Sequence, residues 1–444
     1  MTRNFVDREE ELHRLAEEYG KRGFRFVVVY GRRRVGKTEL LKKFVENKDC
    51  IYFLCSLRAI DKNVERFSEK IGEKYGFSVK FSNFLDAFKF LKERGVDVVV
   101  IDEFPYLISL DSGIVSEFQE IVDEILKDSN IMLILCGSSI GMMERDVISY
   151  KSPLYGRATM IMKVKPFSLF EMLKWYNSVE NAIKIYGVTS GIPKYMEFFS
   201  GKNIEDEIIL NFFRYDTFLY NEARLLLSEE LRNIYTYFNI LEAISVGKTK
   251  LSEIASYSGI EAKDLPFYLN VLMRLGIVGR EYSITDRKRK RGVYKIEDEY
   301  FRFWFRFVSP YQEDIEMNYP ENAIKDFRKN FNAYLGITFE KIVKDLLLRM
   351  NSLNLLPFKF EKIGRWWSRE EEIDLVAINS RKKRALLIEV KYKELDEREK
   401  NRIMESLASK ASHVKELKDY SVDFLVIDKN HLKKCVQVIL NKLK

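Results

Sequence analysis

Phe26-Val27-Val28-Val29-Tyr30-Gly31-Arg32-Arg33-Arg34-Val35-Gly36-Lys37-Thr38 carries an apolar run straight into the pattern G-x-x-x-x-G-K-[ST], and Glu39 to Val45 then reads as a helix. A strand, a glycine-framed turn and a helix N-terminus in that order leave backbone N–H groups converging on one point, which suits phosphate. Lys37 can reach β and γ oxygens of a nucleoside triphosphate, and the Thr38 hydroxyl can ligate Mg²⁺. Gly31, Arg32, Arg33, Arg34, Val35, Gly36, Lys37, Thr38 and Glu39 are therefore expected to hold ATP.

Further along the chain, Asp97 to Asp102 is a second apolar run, and it delivers Asp102 and Glu103 at its carboxyl end, where open α/β sheets bind ligands. That is the form of a Walker B strand: Asp102 would hold Mg²⁺ through water, and Glu103 would orient or deprotonate the attacking water. The runs Arg25 to Tyr30, Cys50 to Cys55, Ile131 to Cys136 and Met160 to Val164 alternate with helical segments in the same way. Several are continuously apolar, as central parallel strands covered on both faces must be. Ahead of them, Asp7 can cap a helix and Glu10 can close a capping box, which predicts a helix from about Arg8 to Tyr19.

The chain has 444 residues, of which 46% are hydrophobic, enough for two to four domains with buried cores. No apolar run approaches the roughly eighteen residues of a membrane span, and no signal-peptide core precedes Asp7-Arg8-Glu9-Glu10, so the expected location is cytoplasmic. Cys50, Cys55, Cys136 and Cys435 show neither C-x-x-C nor Cys/His spacing, which argues against a disulfide framework and a zinc site. The net charge of +8 is modest, so the clustering of charge says more about partners than the total.

The pattern of the chain changes along its length, from strand-like runs to helical periodicity after Ser168. Residues 1–167 read as the ATPase core, 168–227 as a helical lid broken at Gly191-Ile192-Pro193, and 228–300 as a winged helix-turn-helix. The last rests on helices Leu231 to Ala243, Lys250 to Tyr257 and Ala262 to Leu275, followed by a hairpin of Ile277 to Ile284 with Val293 to Ile296. Residues 301–330 form an aromatic connector, and its run Phe301 to Phe307 is expected in a core rather than as a base-stacking platform. Residues 331–444 read as a further α/β unit with a helix from Ile337 to Met350, a strand hairpin, a helix from Asp396 to Leu417 and a strand from Asp423 to Ile427.

The first segment carries a resemblance. Phe5 to Leu12, the Gly31 to Thr38 loop, Ile101-Asp102-Glu103-Phe104, Cys136-Gly137-Ser138-Ser139, Tyr155-Gly156-Arg157 and Gly191-Ile192-Pro193-Lys194 together resemble the archaeal ATPase family, AAA+-related and similar to the STAND ATPases. The resemblance implies a strand order of 5-1-4-3-2 and places Phe5, Val6, Arg8 and Pro193 near the adenine; a simple helix break is the other reading of Gly191 to Pro193. Ser138 can sense the γ-phosphate or cap a helix. Arg157 can act as an arginine finger on a neighbouring subunit in a nucleotide-dependent homo-oligomer, or sit as an ordinary strand-end arginine.

Arg287-Lys288-Arg289-Lys290-Arg291 falls at the turn of the wing hairpin and is the densest positive cluster, suited to a phosphate backbone or simply solvated. In the last segment, a turn centred between Arg381 and Lys382 would set Asp374 directly opposite Glu389, roughly 5 Å apart between β-carbons, with Lys391 on the same face. Two carboxylates that close repel unless something positive sits between them, and a hard divalent cation with oxygen ligands fits. Asp374, then Glu389-x-Lys391, after a helix bearing Glu340, resembles the PD-(D/E)XK nuclease superfamily, although Ile373 replaces the proline. The resemblance implies that Asp374 and Glu389 bind metal, Lys391 orients water or stabilises charge, and Glu340 completes the carboxylate shell. The expected whole is an ATP-hydrolysing protein acting on nucleic acid, DNA before RNA, with a possible metal-dependent nuclease; the alternative is a nucleotide-gated regulator whose last domain only binds nucleic acid or a protein.

Overall fold

Strands β1 (Arg25–Tyr30), β2 (Cys50–Leu54), β3 (Val98–Asp102), β4 (Met132–Gly137) and β5 (Met160–Lys163) form one parallel sheet in the order β5-β1-β4-β3-β2. This is the order the family resemblance implied. The computed structural model describes residues 6–231, 233–286, 288–289 and 292–443. Of the expected site residues, Phe5, Arg287, Lys290 and Arg291 lie outside the described set.

Alternate residues of the central strands feed opposite cores. Phe26, Val28, Val99, Ile101, Leu133 and Leu135 enter one cluster, and Val27, Val29, Val98, Val100, Ile134 and Cys136 enter the other. That two-sided burial is why these strands read as unbroken apolar runs. Helices α1 (Glu9–Tyr19) and α2 (Lys37–Val45) alternate with β1 and β2, and α3 (Ile60–Tyr75) and α4 (Phe84–Arg94) both connect β2 to β3. The N-cap of α1 is Arg8, one residue after the expected Asp7, at φ 70° and with no side-chain cap bond, because a guanidinium carries only donors and cannot accept from the helix N–H groups.

The chain divides into two compact units, Met1–Pro166 with Ile192–Lys194, and Phe167–Gly191 with Tyr195–Lys444. The second includes helices α5 (Val179–Thr189), α6 (Ile204–Phe212) and α7 (Phe218–Glu230), in the segment expected to be helical. At the end of α5 the backbone turns at Gly191, φ 69°, where any side-chain carbon would collide with the Phe167 carbonyl oxygen. The winged helix follows as expected, with α8 (Ile234–Ser245), α9 (Leu251–Ser258), α10 (Leu265–Arg274) and the antiparallel hairpin β6 (Val278–Glu281) and β7 (Val293–Ile296).

The aromatic run is core. α11 (Glu299–Phe303) and the turn after it bury Phe301, Phe303, Trp304, Phe305 and Phe307, and Phe303 packs on Phe212, Phe327 and Tyr334. The helix expected from Ile337 is longer, α12 (Glu321–Ser352), and it runs through the boundary drawn at residue 330. The aromatic cluster explains the extension: Phe327, Phe331 and Tyr334 turn one helix face into the core against Phe303 and Phe307. The last segment is a sheet in the order β11-β10-β9-β8, from β8 (Lys362–Trp367), β9 (Glu372–Asn379), β10 (Arg384–Val390) and β11 (Ser421–Ile427), with β10 and β11 parallel and the rest antiparallel. α13 (Glu397–Ala411) ends earlier than expected, and α14 (Lys429–Leu443) closes the chain. Among the described residues no helix is long and apolar enough to cross a membrane.

Candidate functional site

Adjacent strand ends build the first site. At the end of β1, a side-chain carbon at Gly31 would meet the Val164 carbonyl oxygen, so only glycine lets the loop pass. Lys37 begins α2 and is buried, its Nζ donating to the carbonyl oxygens of Gly31 (2.9 Å) and Arg32 (3.0 Å). Burial holds its pKa below the ordinary lysine value, and the Glu103 and Asp102 carboxylates pull the other way. A desolvated ammonium satisfied only by neutral carbonyls gains from an anion brought within reach.

Asp102 is fully buried. Its Oδ2 accepts from the Thr38 hydroxyl (2.8 Å) and the Tyr52 hydroxyl (2.6 Å), and its Oδ1 from the Glu103 N–H (3.0 Å). The loop threonine and the strand-end aspartate expected to share a metal are therefore already in contact. Tyr52 was missed from the sequence. β2 pairs Tyr52 with Val100, two residues before Asp102 and on the same face, so strand pairing was the signal that would have found it. Burial and then the Asp102 charge push its hydroxyl pKa up, which keeps it a donor.

Glu103 has left-handed backbone at φ 56°, unusual for a non-glycine residue. Its Oε2 accepts from the Ser138 hydroxyl (2.7 Å) and the Ser138 N–H (3.2 Å). Ser138 thus holds the glutamate rather than capping a helix. Arg8 donates from Nη2 to the carbonyl oxygens of Val35 (2.9 Å) and Lys165 (2.7 Å), and the Lys194 N–H, directly after Pro193, approaches the Arg34 carbonyl at 3.5 Å. Arg8 and Pro193 are thereby placed beside the loop, with Val6 half-buried nearby in the chain. Arg157 makes a two-pronged ion pair with Asp123, Nε to Oδ1 at 2.7 Å and Nη2 to Oδ2 at 2.8 Å, and also bonds the Pro153 carbonyl.

The second site lies on the β9–β10 hairpin. Its ladder runs from Arg384 opposite Asn379 to Ile388 opposite Leu375, so the next step sets Glu389 against Asp374. Both carboxylates are buried. Asp374 Oδ2 accepts from the Val390 N–H (2.8 Å), and Lys391 Nζ lies 2.8 Å from Glu389 Oε1 and 3.6 Å from Asp374 Oδ2. Burial and the Glu389 charge raise the Asp374 pKa. Burial, followed by the Asp374 charge, pushes Glu340 on α12 up to about 7. Glu340, Asp374, Glu389 and Lys391 are therefore brought together.

Two residues there had no role assigned to them from the sequence. Lys410 of α13 comes within 3.6 Å of Glu389 Oε2, which is buried and accepts no hydrogen bond. Arg365 of β8 reaches Glu340 (Nε to Oε2 3.9 Å), Glu372 (2.9 Å) and Glu281 (3.8 Å). Between Gly364 and Trp366 the β8–β9 register slips, so Asp374 and Leu375 of β9 face the single residue Arg365, a bulge of the kind that re-aims side chains beside sites. The donor set fits a hard divalent cation, which takes carboxylate oxygens and fills its remaining positions with water. Among the described residues no three His, Cys, Asp or Glu side chains form a ready metal cage, so an ion here would rest on the Asp374 and Glu389 pair.

In the wing, Lys288 and Arg289 are exposed, and the Arg280 and Arg289 guanidinium groups lie over the Tyr282 ring at 5.2 and 5.8 Å.

Comparison with known proteins bears on the segment that carries the first site. A family model described as an ATPase domain predominantly from Archaea matches residues 5–199. A protein of Methanocaldococcus jannaschii, itself uncharacterised, is 40% identical over 428 residues, covering 96% of this chain and 95% of that one. The chain belongs to the archaeal ATPase family. The match spans the Gly31 to Thr38 loop and the five-stranded parallel sheet of this ATPase. A Walker-type ATPase of Pyrococcus abyssi shares the fold, with a TM-score of 0.52 at 22% identity over 68% of this chain and 96% of that one. An ATP-binding protein of Methanocaldococcus jannaschii is 52% identical over 44 residues, 10% of this chain and 75% of that one. Residues 304–403 match a second family model, described as archaeal and bacterial proteins of unknown function.

Proposed function

We propose that this archaeal ATPase hydrolyses ATP at the Gly31 to Thr38 loop and cleaves nucleic acid at the Asp374–Glu389 hairpin. The observation that carries the second half is the ladder register: it sets two buried carboxylates face to face, with Lys391 against both.

At the first site, Lys37 exchanges its two carbonyl partners for phosphate oxygens, and the loop N–H groups hold the remaining charge. Glu103, fixed by Ser138, accepts a proton from the attacking water. Thr38 and Asp102 would hold Mg²⁺, which supplies charge neutralisation between the phosphates when bound. Arg157 would have to release Asp123 before it could reach a neighbouring subunit.

At the second site, Asp374 and Glu389 would hold the divalent ion, which supplies Lewis acidity at the phosphodiester when bound. Lys391 orients the attacking water or compensates the charge that builds on the phosphorus oxygens. Glu340, whose pKa is raised to about 7, exchanges a proton at the same face near neutral pH. End-labelled DNA and RNA incubated with Mg²⁺ or Mn²⁺ test this: the wild-type chain is expected to cut and Asp374→Ala to lose cutting. Cleavage unaffected by Asp374→Ala overturns the assignment.

A binding-only reading has one observation in its favour, since Lys391 and Lys410 already compensate the carboxylates. It predicts retained gel-shift affinity with no product under any divalent ion.

A further inference from the structure

The wing of the winged helix does not stand free. Beyond Glu281, where β6 leaves β7, the chain turns to the open edge of the C-terminal sheet: the Ile284 N–H donates to the Arg365 carbonyl (2.8 Å), and the Trp367 N–H reaches the Ser283 hydroxyl (3.4 Å). Ile284 also packs against the hydrophobic core built on Trp366, Ile373, Val376 and Leu387, and over Gly364. An edge strand presents unpaired backbone groups, and here the wing takes up two of those of β8, the Arg365 carbonyl and the Trp367 N–H. Arg365 ties the same parts together through its side chain, bridging Glu281 of the wing, Glu340 of α12 and Glu372 of β9, opposite the Asp374 bulge.

We infer that the wing and the β8 edge form one nucleic-acid-binding surface, in which the wing grips the phosphate backbone and Arg365 sets that grip in register with the Asp374–Glu389 site. The surface rests on the cleavage reading for its consequence, since it is the route by which substrate reaches that site. Independent wings deliver their cations wherever the helices dock. This one is pinned, through hydrogen bonds on both sides of Trp366, to the strand that lies against the carboxylates. Lys288 and Arg289, both exposed, follow the pinned Ile284 by four and five positions, which limits the reach of their backbone from the sheet edge to roughly 18 Å. The partner is a polyanion long enough to span wing and site together. Arg365 is a positioning residue in this arrangement, because its guanidinium is committed to three carboxylates.

The test uses the full chain and a short end-labelled DNA duplex, with binding measured in chelator and cleavage in Mg²⁺. Lys288→Ala with Arg289→Ala should lower the slope of log affinity against log salt by about 1.8, roughly 0.9 for each phosphate no longer neutralised, and raise KM with little change in kcat. Arg365→Ala should shift the position of the cut and lower kcat, and Arg365→Lys should restore the cut position; a purely structural arginine would lower the melting temperature without moving the cut. A photo-cross-linking residue at Tyr282 and, separately, at Trp367 should label the same duplex within about one helical turn, roughly ten base pairs. If the wild-type chain binds and cross-links from both positions yet never cuts, the cleavage reading fails and the shared surface stands. An unchanged salt slope in the double variant, or cross-linking from only one of the two positions, overturns the shared surface whether or not the chain cuts.

Discussion

Lys37 shows how one residue anticipates its ligand. Its ammonium is buried against the carbonyls of Gly31 and Arg32, an arrangement that leaves the charge poorly compensated until phosphate enters. Lys37→Ala is expected to abolish ATP turnover in a phosphate-release assay, and turnover at the wild-type rate would remove the first site from that loop. Tyr52→Phe takes one of two hydroxyl donors from the buried Asp102 carboxylate, so it should destabilise the nucleotide-free protein by about 1–3 kcal/mol in urea denaturation. A loss near zero would mean that water replaces the hydroxyl there. Glu340 gives a pH signature of its own. Its pKa in the fold is raised to about 7 from 4.5, so the fold binds a proton that the unfolded chain has released. The sign follows: the stability it contributes is fully present below the unfolded value and is lost as pH rises through the folded one. In chelator, Glu340→Gln should therefore be more stable than wild type at about pH 8, and the gain should vanish at about pH 4. An equal gain at both pH values would show that burial of the carboxylate is not the cause.

Among the helices and strands, α12 is the piece that the sequence half concealed. Its C-terminal half reads as an ordinary apolar helix from Ile337, but Phe327, Phe331 and Tyr334 look like part of an aromatic connector until the partners Phe303 and Phe307 are known. The same helix carries a buried ionic network: Arg302 donates to Glu299 (3.0 Å from Nε) and to Thr338, Thr338 donates to Glu299 (2.9 Å), and Lys341 Nζ lies 3.7 Å from Glu299. Such a network is costly to break at one member, because it leaves a charge without its counterion. Arg302→Met is expected to lose about 3–5 kcal/mol in denaturant unfolding, while Arg302→Met combined with Glu299→Leu should recover part of the loss. A single variant within about 1 kcal/mol of wild type, the size of an exposed pair, would mean the network is solvated. The β9–β10 hairpin was readable because its turn, Asn379 to Lys383, is polar between apolar strands, and that alone fixes the register. β8 was less legible, since Gly364 and the bulge beside it break the alternation that marks a strand.

Across the molecule as a whole, the parallel sheet and P-loop could be read from local runs because covered strands and a phosphate-cradling turn leave dense local signals. What could not be read locally were pairings made across long stretches of chain: Tyr52 on Asp102, Ser138 on Glu103, Arg365 on Glu340 and the wing on β8. Each joins residues whose proximity is set by the fold rather than by spacing. The coexistence of a triphosphate site and a carboxylate site on one chain turns on whether the second gathers a metal when no nucleotide is present. Titrating Mn²⁺ into nucleotide-free protein and reading bound ion by electron paramagnetic resonance asks this directly. One ion per chain is expected for the wild type and for Lys37→Ala, with none for Asp374→Ala combined with Glu389→Ala. Equal Mn²⁺ binding with and without those two carboxylates would contradict the second site.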